Sequence, residues 1–152
     1  MMFAAVALTA VLTLPTPIPE HVQNPVQVGM KIHDGSSLYR GKFYVRKHEK
    51  IRKCIRFRES RNHYNAVSMS GTYRGAYQFS PALRVGAAWM IQKRLRETLG
   101  KDRAVTIGEV LRKTSMNKWH PYWQDMAFWL VWNNGKGKQH WAHQVPGTEC
   151  YQ

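Results

Sequence analysis

Acidic residues are scarce in this chain. Nine Asp and Glu stand against 23 Lys and Arg over 152 residues, a formal net charge of +14. Two cysteines are present, far apart at Cys54 and Cys150, and neither they nor the seven histidines form a C-x-x-C pair, zinc-finger spacing or H-E-x-x-H motif. That excludes a cysteine-dense miniprotein and leaves no ground for a metal-dependent enzyme; no cofactor is expected. Internal repeats are absent, and so is the aromatic motif of an RNA-recognition domain. The most apolar stretch, Phe3–Leu14, has twelve residues, where a membrane-spanning helix needs about twenty. Apolar matter as a whole is not lacking: 43% of residues are hydrophobic, 12% are aromatic, and six are Trp. This is too apolar for a disordered basic tail and enough for one compact domain with a real core. The charge calls for a polyanionic partner: nucleic acid, an anionic membrane or an acidic cell wall.

The run Phe3–Leu14, closed by Pro15, Pro17 and Pro19, fits the apolar core of a secretion signal, although no Lys or Arg precedes it and no A-x-A site follows. A buried N-terminal segment is the alternative. Residues 1–19 are therefore read as a signal peptide or apolar leader, 20–41 as a linker or arm rich in Pro, Gly and Ser, and 42–152 as the domain. In an exported protein Cys54 and Cys150 would form one disulfide; otherwise they are two inert buried thiols.

Helical patterning is expected over Phe43–Ser60. Arg61–Ser80, rich in Asn, Ser, Gly and Tyr, reads as loops with a short hairpin turning at Gly71 and Gly75. Ser80-Pro81 has the form of an N-cap followed by proline at the first helical position, and Gly100 would stop that helix. Trp89 is expected in its core face. Thr106–Lys113 reads as a shorter helix with Thr106 and Glu109 as a capping box. Pro121 opens a last helix, apolar nearly all round through Met126, Phe128, Trp129, Leu130 and Trp132, which should be central. The result is a mostly helical single domain with a small irregular or β insertion.

Among the few carboxylates, Glu59 stands at the C-terminal end of a basic helix, where the helix dipole prefers cations. It leads into a loop carrying Asn62, Asn65, Tyr73, Tyr77, Gln78 and Phe79. Aromatic faces interspersed with amides and hydroxyls suit sugars, whose ring faces stack and whose hydroxyls take directional hydrogen bonds. The plainer account pairs Glu59 with Arg56 or Arg58 on the surface and packs the aromatics in the core. Asp102, Glu109 and Asp125 read as helix caps or surface residues.

The pairing of Glu59-Ser60-Arg61-Asn62 with Gly75-Ala76-Tyr77-Gln78-Phe79-Ser80 resembles the signature of lysozyme-like lytic transglycosylases. Within that group the chain is most similar to compact actinobacterial and phage domains, including resuscitation-promoting factors. Trp132-Asn133-Asn134-Gly135-Lys136-Gly137 is similar to their Y-N-x-G-x-G segment, with Trp in place of Tyr. Cys54 precedes the Glu on the same helix, and Trp141…Cys150 matches a C-terminal segment that supplies its disulfide partner. In resuscitation-promoting factors the Cys commonly stands immediately before the Glu, and here it does not. The resemblance covers roughly residues 45–152.

The resemblance implies an α+β lysozyme-like fold and cleavage of the β-1,4 bond between N-acetylmuramic acid and N-acetylglucosamine. Glu59 would be the general acid and base, with Ser60, Tyr73, Tyr77, Gln78, Phe79 and Asn133 binding the glycan. The partners would be peptidoglycan strands and anionic wall polymers, and the site secreted or wall-associated; a monomer without a membrane span is expected. To hold its proton, Glu59 needs a partly desolvated pocket, with Arg56, Arg58 and Arg61 turned away. Two other functions compete. One is a nucleic-acid module on the ten Lys and Arg of Arg40–Arg61. The other is a non-catalytic wall-binding or phage structural protein on the same fold.

Overall fold

The computed structural model describes residues 18–26, 35–142 and 149–151. The apolar run Phe3–Leu14 lies outside the described residues. Among these residues there are five α-helices: α1 (Glu20–Gln23), α2 (Glu49–Ser60), α3 (Pro81–Leu99), α4 (Lys101–Lys113) and α5 (Pro121–Trp132). The expected mostly helical domain is what forms. The expected insertion is less regular than a hairpin. Among the described residues no strand is present, and 61–80 is pinned by the isolated bridges Val67–Arg74 and Arg74–Phe79.

Helix α5 is the axis of the core. Every residue of it except Tyr122 is buried, and each fully buried large apolar side chain contributes roughly 1.5–3 kcal/mol. Pro121 occupies its first turn, and His120 caps it by accepting the Tyr122 N–H on Nδ1 at 3.1 Å. Phe128 stacks on Tyr77 at 4.7 Å between ring centroids and also meets Trp129, Trp132 and Trp141.

Helix α3 starts where the sequence says it should: Ser80 Oγ accepts the Leu83 N–H at 3.2 Å, and Pro81 follows. Its buried face is Ala87, Ala88, Ile91, Gln92 and Leu95. Trp89, expected in the core, is 53% exposed and lies under the Arg112 guanidinium at 3.6 Å. Gly108 lets α4 approach closely, since a Cβ there would sit 2.8 Å from that of Gln92. Helix α4 begins five residues before the expected Thr106 cap, directly after Gly100. Asp102 supplies the first-turn acid that suits the dipole. Thr106 is inside the helix, donating its hydroxyl to Asp102 O at 3.0 Å.

The described part of the 20–41 arm is docked on α5. His21 stacks on Tyr122 with centroids 3.5 Å apart, and Trp123 donates its indole N–H to His21 O at 2.8 Å. Trp129 donates to Ser37 Oγ at 3.0 Å, and Tyr39 is buried. The packed body therefore starts before residue 42.

Polar groups fill the space between α2 and α5. Asp125, read from sequence as a cap or surface residue, is fully buried. Its carboxylate accepts from Tyr77 OH (2.6 Å), Tyr64 OH (2.7 Å) and Leu38 N (2.8 Å), with Arg52 Nη1 at 3.6 Å. Arg52 and Arg56 of the basic helix are buried as well, although Arg56 was expected to turn to solvent. Buried charges need partners: Arg52 is ion-paired with Glu49 and Asp125, and Arg56 is held by hydrogen bonds to Asn62 and Tyr64.

Cys54 of α2 and Cys150 form a disulfide, with Cα atoms 5.5 Å apart across 96 residues of sequence. Closing a loop of that length stabilises by about 4–5 kcal/mol in the chain-entropy model. It is a bond suited to an oxidising compartment.

Candidate functional site

The end of α2 and the turn of 71–79 meet at Glu59. Arg61, in the left-handed region (φ 52°), closes the helix and donates its N–H to Phe57 O at 2.8 Å. Ser60 Oγ lies 3.0 Å from Arg56 O and 2.9 Å from Ala76 O, so its one proton ties α2 to the facing turn. That turn rests on α5: Gln124 Oε1 accepts the Ala76 N–H at 2.9 Å, while its Nε2 donates to Tyr64 O and Trp119 O. Gly75 is required there. Its φ is +82°, and a Cβ would come within 2.6 Å of Gln124 Oε1. Gln78 also has positive φ (50°), uncommon for a residue with a side chain, and its Nε2 donates to Gly75 O at 2.9 Å.

These elements enclose a cleft of about 260 Å³ lined by Glu59, Tyr73, Gln78, His140 and Trp141. Three of the expected residues, Glu59, Tyr73 and Gln78, thus come together. Tyr73 is half exposed and free to meet a ligand face. Tyr77 and Phe79 do not line the cleft: they are 0% and 1% exposed and face the core beneath it. Burial pushes the Tyr77 phenol well above its ordinary range, and Asp125 adds to this against Arg52, so it remains a neutral donor to Asp125. Ser60 acts on the backbone, as above. Asn133 caps the C-terminus of α5 in the left-handed region (φ 43°) and lines a neighbouring groove of about 350 Å³. His140 lines both.

His140 and Trp141 were not expected in the site. Trp141 stood out in sequence only as part of the C-terminal W…C segment; nothing local marked it as a wall of the cleft. It is fixed by its indole N–H, which donates to Tyr77 O at 3.0 Å.

The arginines divide. Arg56 turns inward, donating to Asn62 Oδ1 (3.1 Å) and Tyr64 OH (2.8 Å), and Arg61 lies over the Phe57 ring at 4.7 Å. Arg58 does not turn away. Its Nε and Nη2 donate to Glu59 Oε1 at 3.1 and 2.9 Å, and Nη2 also donates to Trp141 O at 2.6 Å. The side chains of the pair are 13% and 10% exposed. The requirement that all three guanidiniums avoid Glu59 is therefore not met: adjacency in sequence and the Trp141 carbonyl hold Arg58 in place.

Among the described residues, no carboxylate other than Glu59 lines the cleft. Among the described residues no group of three or more His, Cys, Asp or Glu could hold a metal ion, and no helix is long and apolar enough to cross a membrane. No family model, curated protein or solved structure matches the chain.

Proposed function

We propose that the protein cleaves the β-1,4 glycosidic bond between N-acetylmuramic acid and N-acetylglucosamine in peptidoglycan, by lytic transglycosylation on a lysozyme-like fold. The observation that carries this reading is the cleft itself: one carboxylate, Glu59, facing an exposed tyrosine, an amide and a tryptophan. Glycosidic cleavage needs a proton on the leaving oxygen and a group to capture the oxocarbenium-like carbon. Glu59 supplies the proton. With no second carboxylate at hand, the C6 hydroxyl of the muramoyl residue attacks C1, the bond to the leaving oxygen breaks, and the hydroxyl proton returns to Glu59. The product carries a 1,6-anhydro end. Tyr73 offers a ring face to the sugar and Gln78 an amide to its hydroxyls, while Ser60, Tyr77 and Phe79 hold the surrounding structure.

Catalysis in this form requires Glu59 to leave Arg58 when glycan enters, because Oε1 accepts two guanidinium hydrogen bonds in the free protein. Trp141 O is already a partner of Arg58 and can keep the guanidinium once the carboxyl is released. The same pair favours a second reading, a wall-binding protein that retains the cleft without turnover. A nucleic-acid module is less well supported, since Arg52 and Arg56 of the basic stretch are buried and Arg58 is engaged. The disulfide fits secretion to the wall. Mass spectrometry of muropeptides released from purified walls tests the reading: anhydro ends support it, reducing ends indicate hydrolysis, and absence of release by folded protein leaves the binding function.

A further inference from the structure

Behind the turn that carries Tyr73 and Gln78 lies a second cavity of about 360 Å³, between that turn and the facing ends of α3 and α4. Its polar side chains are Thr72, Arg74, Arg84, Lys113 and Ser115: three cations and two hydroxyls, with no carboxylate among the described residues. The two guanidiniums are fixed without acids. Arg74 donates from Nε to Gly71 O (3.0 Å) and from Nη1 to Ser115 Oγ (3.1 Å). Arg84 donates from Nη1 to Arg112 O (2.7 Å) and Thr114 O (2.5 Å), closing the C-terminal end of α4. None of the three cations is ion-paired among the described residues. Burial, and then the adjacent charge of Arg74, lower the pKa of Arg84 from its ordinary value. Both guanidiniums line the same cavity on fixed backbone supports, where an anion between them would offset their mutual repulsion. Guanidinium forks match carboxylate and phosphate oxygens in pairs.

The turn is shared between two sites. Tyr73 and Gln78 line the Glu59 cleft; Thr72, Arg74 and Phe79 line the cationic cavity. Resting on the peptidoglycan reading above, we propose that this cavity is an oxyanion subsite for a carboxylate or phosphate group borne by the wall polymer whose glycan occupies the cleft. Stem-peptide carboxylates and phosphodiesters of attached wall polymers share that chemistry. Lys113, exposed at the rim, would meet the anion first, and the two guanidiniums would hold it.

Titration of the full chain with inorganic phosphate at constant ionic strength, followed by backbone amide shifts, tests the subsite. Saturable shifts are expected at Thr72–Arg74 and Lys113–Ser115, with at least a tenfold weaker dissociation constant in Arg74→Gln and in Lys113→Gln. Shifts that spread over the basic surface without saturating, or constants unchanged in the variants, overturn the proposal. Lys113 is exposed, so its variant carries the test should Arg74→Gln fail to fold. Competition then identifies the source. Displacement of phosphate by a disaccharide-peptide assigns stem carboxylates; displacement by glycerophosphoglycerol, a phosphodiester, assigns phosphodiesters. Tighter displacement by duplex DNA than by either overturns the wall assignment. No arm needs turnover: an inactive Glu59 leaves the phosphate result standing, and an active enzyme without a phosphate site refutes the subsite alone.

Discussion

Asp125 and Glu59 both face arginine, in opposite settings. Asp125 sits at the centre of the fold, accepting from two phenols and a backbone amide with Arg52 behind them. Glu59 sits at the wall of a cleft, against an arginine that also holds a backbone carbonyl. The first has no exposed surface and no room for a new partner. The second keeps a path to solvent and shares its arginine with an acceptor that can take over. Burial with complete satisfaction makes a carboxylate a structural part, whereas partial exposure beside a divided cation leaves one able to exchange partners.

The contrast is broken most severely by Glu59→Gln. Release of muropeptides should fall by about 10²–10⁴-fold, the usual weight of a general acid, while the urea midpoint stays at the wild-type value. Undiminished release by the folded variant would remove Glu59 from the chemistry. Asp125→Ala should act the other way round. It strips the acceptor from two buried phenols and the Leu38 N–H, at about 1–3 kcal/mol of unfolding free energy for each orphaned donor, while Arg52 keeps its closer partner Glu49 at 2.6 Å. Denaturant unfolding measures this, and a loss under 1 kcal/mol would contradict a structural role.

Arg58→Gln lies between the two. Losing its charge-assisted hydrogen bond to Trp141 O should cost about 1.5–3 kcal/mol, less than Asp125→Ala. If the pair opens during turnover, the variant should also shift the pH profile of muropeptide release, which a purely structural arginine would leave in place. The smallest effect concerns the docked arm. Burial, and next the nearby His120, bring the His21 imidazole down to about 4 from 6.5. The unfolded form therefore takes up a proton first on acidification. The contribution of this docking is complete above about pH 6.5 and declines as pH falls toward 4. Exchange of the Trp123 indole proton, bonded to His21 O, should rise across that window relative to intrinsic rates; a flat ratio would show that the histidine plays no part.

Which features could be read from the chain depended on whether the signal was local. Ser80-Pro81 starts α3 because a hydroxyl cap and a proline act within one turn, and the apolar run after Pro121 had to be central because no face of it tolerates water. Cys54 and Cys150 had one bond available to them. Glu59, Tyr73 and Gln78 fall on one cleft as the motif suggested. Tyr77 and Phe79 were misplaced because the turn sends its residues to opposite sides, and side-chain direction there is set by the positive φ of Gly75 and Gln78 together with the support of Gln124. Arg56 and Asp125 looked solvated because charge is the strongest cue for a surface. Their burial depends on partners far along the chain, Tyr64 and Tyr77 among them. His140 and Trp141 reach Glu59 only through the tertiary fold.

The order of the cleft's parts along the chain has a consequence for biogenesis. Glu59 leaves the ribosome long before Trp141, whose indole and carbonyl form the opposite wall, and Cys150 follows later still. A nascent chain halted before residue 141 already carries the acid and the turn, yet has neither the wall nor the second half of the disulfide. The cleft is therefore completed only after residues 59 to 141 have all been synthesised, and the bond from Cys150 back to the helix of Glu59 cannot form before both walls of the cleft exist.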